Sequence, residues 1–424
     1  MRSLGGRIDS DYLTEDSVAK ILIMTDNANI PTGMGRVGRE IALGLQRLGH
    51  EIIYLGWFSP TWLESTMPFR VYRTSNNYYG SDIFDRVVHD ERPDVVLTVG
   101  DIWMVQYIAD PNVCRSRPWF QWIGYVPIDG VALNGGVPNS WISVLDDMDV
   151  VVPYTEYGKE AIGKSLPHRL RSLKAIPHGV DTKVYHPLSE AERMDVRHGL
   201  GIRDDRIVFL TVARNQFRKN IPEFCKGWKL FRKDGAHEKA VFWPHMGFQD
   251  PMGWDLSEVF SIYDIGNDLM YFERVALGSN NVDLLPEAEL MKLYNAADIF
   301  ILMSGEGWGL PTLEAMACGK PCILMDHSAN TELIGRGIER GLLVDVAGTM
   351  TGAHSTERPF PDLNHLVKQM SVLYEDAELR RVLGARAAEF AKSLTWDSAV
   401  LQWNHVVETV VNPLTFEREL EVIA

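Results

Sequence analysis

The stretch "GEGWGLPTLEAMACGKP", residues 305–321, decides how the chain is read. It follows "DIFILM", an apolar run that predicts a buried strand ending near Met303. Pro311 suits the first turn of a helix, and Gly319 with Pro321 ends that helix before a second apolar run, "PCILMD". Strand, glycine-bearing loop, helix and strand make the repeating unit of a parallel sheet. Open parallel sheets bind ligands beyond the carboxyl ends of their strands, which is where Glu306 falls. Gly307 and Gly309 let backbone amides approach a ligand, and the helix start adds a partial positive charge. Leu313, Met316 and Ala317 form the buried stripe, which leaves Glu314 off the core face near the helix N-terminus. Such a pocket suits a ligand with hydroxyls and negative charge. Taken alone, the stretch is equally well explained by a solvated Glu306 and a Glu314 that complements the helix dipole.

The same alternation of short apolar runs and amphipathic segments extends along nearly the whole chain, so the fold class is α/β. A first series contains the strands "KILIMT", "EIIYL", "DVVLTV", "WFQWIGYV" and "DVVVPY", with a helix over 35–48 stopped by Gly49. A second series begins near Arg206 with "RIVFLTV", "AVFWPH", "LMYFERV", "DIFILM" and "PCILMD". Between them, "AIPHGVDTKVYHPLSEAER" has two prolines and no clean period, and is read as the connection. The tail from Pro361 to Val410 is helical, with Trp396, Val400, Trp403 and Val407 on one face that must be buried. The expected organisation is two doubly wound, Rossmann-like domains. Residues 1–185 form the first, completed by a C-terminal helix of about 395–424, and residues 186–394 form the second.

A length of 424 residues suits two such domains. The net charge of −15 argues against a nucleic-acid partner, whose binders carry a basic face. Cys114, Cys225, Cys318 and Cys322 are too few and too irregular for a disulfide framework, which fits a reducing cytosol. The opening "MRSLGGRIDSDYLTEDS" lacks the apolar stretch of a secretory signal, and no run approaches the ~20 apolar residues that span a bilayer. A cytoplasmic protein is expected, with no sequence feature that indicates membrane association.

A second constellation is "TVARNQFRKNIPEF". Arg214 follows a strand, and Asn220 with Glu223 predicts a capping box that opens a helix. Arg218 and Lys219 then precede the positive end of a helix, a poor place for cations unless an anion is shared. The three cations suggest a diphosphate cradle; the bland alternative is an exposed basic turn. Gly33, Gly35 and Gly38 satisfy G-x-G-x-x-G, but the first lies eight residues after Thr25 and no acid ends the next strand, which argues against a dinucleotide. "DMD" at 147–149 leads straight into a strand and reads as a helix-to-strand turn rather than a metal site. His178, His245 and His327 are isolated and read as structural.

The segment "LPEAELMKLYNAADIFILMSGEGWGLPTLEAMACGKP" closely resembles the donor-site region of family 4 glycosyltransferases, retaining enzymes of GT-B fold, with Glu306 and Glu314 matching their E-x7-E motif. "VARNQFRKN", "PHGVDTKVYHP" and "SLTWDSAVLQW" are similar to their basic segment, inter-domain stretch and returning tail helix. The resemblance implies a nucleotide-diphosphate sugar as donor and a hydroxyl compound as acceptor. It implies that Arg214 and Lys219 hold the diphosphate, Glu314 the ribose, and Glu306 the transferred sugar. The amides of Gly307, Trp308, Gly309 and Leu310 would bind the sugar or its phosphate, and Gly33 and Gly35 match the glycine-rich loop that closes over the diphosphate. Many members have a histidine where this chain reads "WIGYVPIDG"; Asp129 is the nearest ionisable residue, with a catalytic and a turn role both open. The expected reaction is retaining glycosyl transfer by a front-face route, independent of metal and of any cofactor. An epimerase or hydrolase on the same fold, or an inactive nucleotide-sugar-binding protein, are the alternatives.

Overall fold

The computed structural model describes residues 18–59, 64–74, 77–270 and 285–412. Six parallel strands, β1 (Lys20–Asp26), β2 (Glu51–Trp57), β3 (Arg70–Arg73), β4 (Val95–Val99), β5 (Gln121–Val126) and β6 (Val150–Pro153), form one sheet in the order β3-β2-β1-β4-β5-β6. A second parallel sheet, β7 (Ile207–Val212), β8 (Ala240–His245), β9 (Ile299–Leu302), β10 (Cys322–Met325) and β11 (Gly341–Val344), has the order β11-β10-β9-β7-β8. Helices cover both faces, so the inner strands carry nearly continuous apolar runs; every residue of β4 and β9 is buried. Each sheet reverses its strand order once, between β1 and β4 in the first and between β7 and β9 in the second. The loops that leave these four strands diverge and open a crevice on each sheet. They carry Gly33, Asp101, Lys219 and Glu306.

The helix Gly33–Arg47 starts where Thr32 accepts a hydrogen bond from the Gly35 amide at 3.0 Å. The tail helix Trp396–Val411 packs on it, with Trp396, Ala399, Val400, Trp403 and Val407 buried as the periodicity requires. Val400 lies so close to Gly44 that a side chain there would collide with it. Trp403 meets Tyr125 of β5 edge to face at 4.6 Å, and Asn404 bonds the His50 ring at 2.8 Å. The chain therefore crosses between the sheets twice, and the crossings touch: the Val180 amide donates to the Leu394 carbonyl at 2.9 Å.

Some expectations are corrected. The connection stops at Ser189, because residues 190–199 form a helix opened by a Ser189–Glu192 capping box. Of the expected strand "LMYFERV", Leu269 and Met270 pair with Phe242 of β8, and the remainder lies outside the described residues, as do the opening segment and the end of the tail. The edge strand β3 and an antiparallel hairpin, β12 (Val346–Thr351) with β13 (Glu357–Pro361), were not anticipated. "VAGTMT" carries a glycine and is mostly exposed, and "ERPFP" carries two prolines, so neither shows a clear strand signal. The hairpin leaves the second sheet after β11 and reaches the first domain, where the Glu357 amide donates to the Val131 carbonyl at 2.7 Å and His354 stacks on Trp103 at 5.3 Å.

The tail helix is thus part of the first domain's core. Trp403→Ala is expected to lower stability by about 3–5 kcal/mol, the range for emptying a large buried aromatic site. Denaturant titration checks it; an unchanged midpoint would mean that the helix is an accessory strap.

Candidate active site

Glu306 sits just beyond β9 and is buried. Its Oε1 accepts hydrogen bonds from Lys219 Nζ and Ser304 Oγ, and its Oε2 lies 3.3 Å from Arg218 Nη1. Arg218 also donates to the Gly305 carbonyl at 3.1 Å. Burial alone would raise the Glu306 carboxyl pKa, but Lys219 and Arg218 overcome it and pull the value down to about 2. Burial and the Arg218 charge press Lys219 down to about 8 despite its carboxylate partner. Arg218 is held above its ordinary value, with burial outweighed by Glu306, Asp129 and Asp101. The solvated reading of Glu306 is therefore excluded: the loops after β7 and β9 place one ionised acid between two cations.

Asn220 does not form the expected capping box. It adopts a left-handed conformation (φ 52°), and its side-chain amide donates to the Met303 carbonyl at 2.9 Å and the Pro359 carbonyl at 2.8 Å, while Glu223 pairs with Lys226. It ties the end of β9 to β13. Arg214 stands apart from the Glu306 cluster, exposed and bidentate to Asp250 at 2.6 and 3.2 Å, facing Asp26 at the end of β1.

Glu314 lies on the helix Leu310–Ala317 and is buried by partners from elsewhere. Tyr294 donates to it at 2.7 Å, and the Arg36 guanidinium of the first domain donates to its other oxygen. Burial raises its pKa against the pull of Arg36. Arg36 and Arg39 also reach Glu287 at 3.1 and 3.0 Å, so the cleft is bridged here by three ion pairs. Gly309 has φ 99°, a conformation that favours glycine. Gly305 and Gly307 have a reason the sequence did not reveal. A Cβ at Gly305 would lie 2.8 Å from the Asp129 carbonyl oxygen, and one at Gly307 would lie 2.6 Å from Pro127, so both serve contact between the domains. Leu310 faces Gly33 across the cleft, and Trp308 is buried against His178 with no partner for its indole N–H.

Asp129 accepts from Arg358 Nη1 at 2.7 Å and lies 3.7 Å from Arg218 Nη1, which joins it to the Glu306 cluster. Asp101, at the end of β4, was missed by the sequence reading. Burial and the neighbouring Asp129 charge raise its carboxyl to about 6 against Arg218 and Arg358. Its signal was available: it is the first acid after a buried strand, beside a switch point. Arg117 bonds Asp147 at 2.9 Å and Asp149 at 3.1 Å, making "DMD" a pinned turn. His178 bonds Tyr125 at 2.7 Å and burial drives it to about 3; His245 falls to about 4 for the same reason. No described helix is long and apolar enough to cross a membrane.

Residues 259–355, which include both glutamates, match the family Glycosyl transferases group 1. The chain is 26% identical over 234 residues to D-inositol 3-phosphate glycosyltransferase of Paenarthrobacter aurescens, covering 54% of this chain and 49% of that protein. It is 25% identical to an uncharacterized glycosyltransferase of Methanocaldococcus jannaschii, over 70% of this chain and 77% of the other. The alignments span about half the length of the inositol-phosphate enzymes. Among solved structures, sucrose-phosphate synthase of Thermosynechococcus elongatus superposes with a TM-score of 0.68 at 18% identity, over 96% of this chain and 100% of that one. HepE of Anabaena in complex with UDP-glucose gives 0.65 at 14%, over 92% and 100%. The chain thus has the GT-B architecture of these structures, and in sequence it is similar to glycosyltransferases.

Proposed function

We propose that this protein is a retaining, metal-independent glycosyltransferase that moves a sugar from a nucleotide diphosphate to a hydroxyl acceptor. One observation carries the reading. Acids and cations buried at facing strand ends satisfy one another without a ligand, Glu306 with Lys219 and Arg218, and Glu314 with Arg36. A nucleotide sugar supplies the replacements for both sets: phosphates for the cations, hydroxyls for the acids. The UDP-glucose complex of HepE, a protein of the same fold, supports a nucleotide-sugar donor.

In this reading Lys219 and Arg214 neutralise the diphosphate, with amides from Gly307, Trp308, Gly309 and Leu310 and from the helix start at Gly33 and Gly35. Glu314 holds the ribose and Glu306 the transferred sugar. The acceptor enters from the first domain beside Asp129 and Asp101. The bond from the anomeric carbon to the diphosphate breaks, the acceptor oxygen bonds to that carbon from the same face, and the acceptor proton passes to the departing phosphate. The charge on the leaving group falls on protein cations, so catalysis is mainly positioning and electrostatic stabilisation. Turnover is expected to survive excess EDTA; loss of activity restored by magnesium or manganese would overturn the metal independence.

A panel of nucleotide sugars scored by thermal shift tests the class, since a ligand at about 100 times its dissociation constant stabilises by about 2.7 kcal/mol. Glu314→Ala is expected to weaken the free nucleoside diphosphate and the donor alike, whereas Glu306→Ala spares the nucleotide and lowers turnover. Equal nucleotide affinity in the wild type and Glu314→Ala would remove the ribose assignment.

Lys219 gives a pH signature. Its free-state pKa of about 8 lies below the ordinary value because the fold buries it beside Arg218. A diphosphate favours the charged form, so binding must take up a proton once the pH exceeds that value. Affinity should fall by up to about tenfold per pH unit above it. Calorimetry with a nucleoside diphosphate at pH 7.5 and 9.5 measures this, and Lys219→Arg, whose guanidinium stays charged, should flatten the profile. A flat wild-type profile would take Lys219 out of the diphosphate site.

A further inference from the structure

We propose that Arg358, on the hairpin of the second domain, is a positioning residue for the transferred sugar, acting through Asp129. The inference rests on the donor reading above and adds a residue that the reading does not use. Residues 127–130 of the first domain lie against residues 305–307, so closely that a Cβ on Gly305 or Gly307 would meet Asp129 or Pro127. Asp129 therefore stands beside Glu306, and the two share Arg218. That sharing is unequal. Arg218 is 3.3 Å from Glu306 and 3.1 Å from the Gly305 carbonyl, but 3.7 Å from Asp129, beyond a good hydrogen bond. The bond that fixes the Asp129 carboxylate is the one from Arg358, at 2.7 Å.

Arg358 is itself fixed on both sides. The preceding Glu357 amide donates to Val131 of the first domain, and the following Pro359 carbonyl accepts from Asn220, the neighbour of Lys219. Thr356 is fully buried and turns the hairpin through a bond to the Ala353 carbonyl at 3.0 Å. The cations that face Asp129, Arg358, Arg218 and Lys219, all come from the second domain; Asp101, Tyr157 and His327 are its other titratable neighbours. A carboxylate clamped this way accepts hydrogen bonds from sugar hydroxyls in one orientation, and only when the domains have met. In the donor reading the ribose sits at Glu314, which is bound by Arg36 and Tyr294 and not by Arg358, so UDP binding is expected not to depend on Arg358.

The test uses UDP and UDP-glucose, titrated calorimetrically into the full chain. Arg358→Gln is expected to leave UDP affinity unchanged and to weaken UDP-glucose by about tenfold or more, the value of a lost charge-assisted hydrogen bond. Arg358→Lys should recover much of the difference, because an ammonium can still hold one oxygen. Melting curves of both variants establish that they are folded. Unchanged UDP-glucose affinity in Arg358→Gln overturns the inference, and so does a parallel loss of UDP and UDP-glucose, which would make the hairpin merely structural. A wild-type chain that binds neither ligand overturns the UDP-glucose donor and this inference with it; one that binds both, with Arg358→Gln indistinguishable, overturns the inference alone.

Discussion

The Glu306 carboxylate, buried between Lys219 and Arg218, is the interaction on which the rest of the site depends. Withdrawing three charges from water costs several kcal/mol for each ion, and mutual attraction repays this only with good geometry. The fold provides that geometry through strand order. Lys219 and Arg218 follow β7, Glu306 follows β9, and these strands are neighbours although β7 ends at Val212 and β9 begins only at Ile299. Replacing the triad by apolar side chains would be a cheaper way to fill the space. Its charge is what the proposed donor, with its phosphates and hydroxyls, would exploit.

The first domain repeats the same logic from the opposite side. Arg36 enters from the helix Gly33–Arg47 to meet Glu314, and Arg358 leaves the second domain to meet Asp129. Each domain thus supplies a cation to an acid of the other, and in the proposed donor complex the ligand would take the place of these partners. Exchange of partners, rather than creation of new buried charge, keeps the electrostatic cost of binding small.

Much of this was legible in the sequence because strand ends are local signals. The glycine-bearing loop after "DIFILM", the cations after "RIVFLTV" and the apolar face of the tail each follow from a pattern within about twenty residues, and each was found where expected. What stayed hidden depends on contacts distant in sequence. Glu314 reads as an off-core acid until Arg36 and Tyr294 bury it. Asn220 looks like a cap until its amide is seen to join β9 and β13. The hairpin has a mostly exposed, glycine-bearing first strand and a second strand with two prolines, so neither periodicity nor propensity could distinguish it from a loop. Gly307 reads as a residue for ligand approach, and its close contact with Pro127 of the other domain is seen only in the folded chain.

The tail helix carries a consequence for synthesis. The first sheet is complete once β6 has been made, yet the helix that covers it against Tyr125 and Gly44 begins only at Trp396. At a translation rate of roughly 5–20 residues per second, the intervening chain takes on the order of tens of seconds to emerge. Throughout that interval, while the second domain is being made, the first presents an uncovered apolar seam. The core of the first domain therefore closes only after the second domain has been made, and the tail helix is the segment that joins the two.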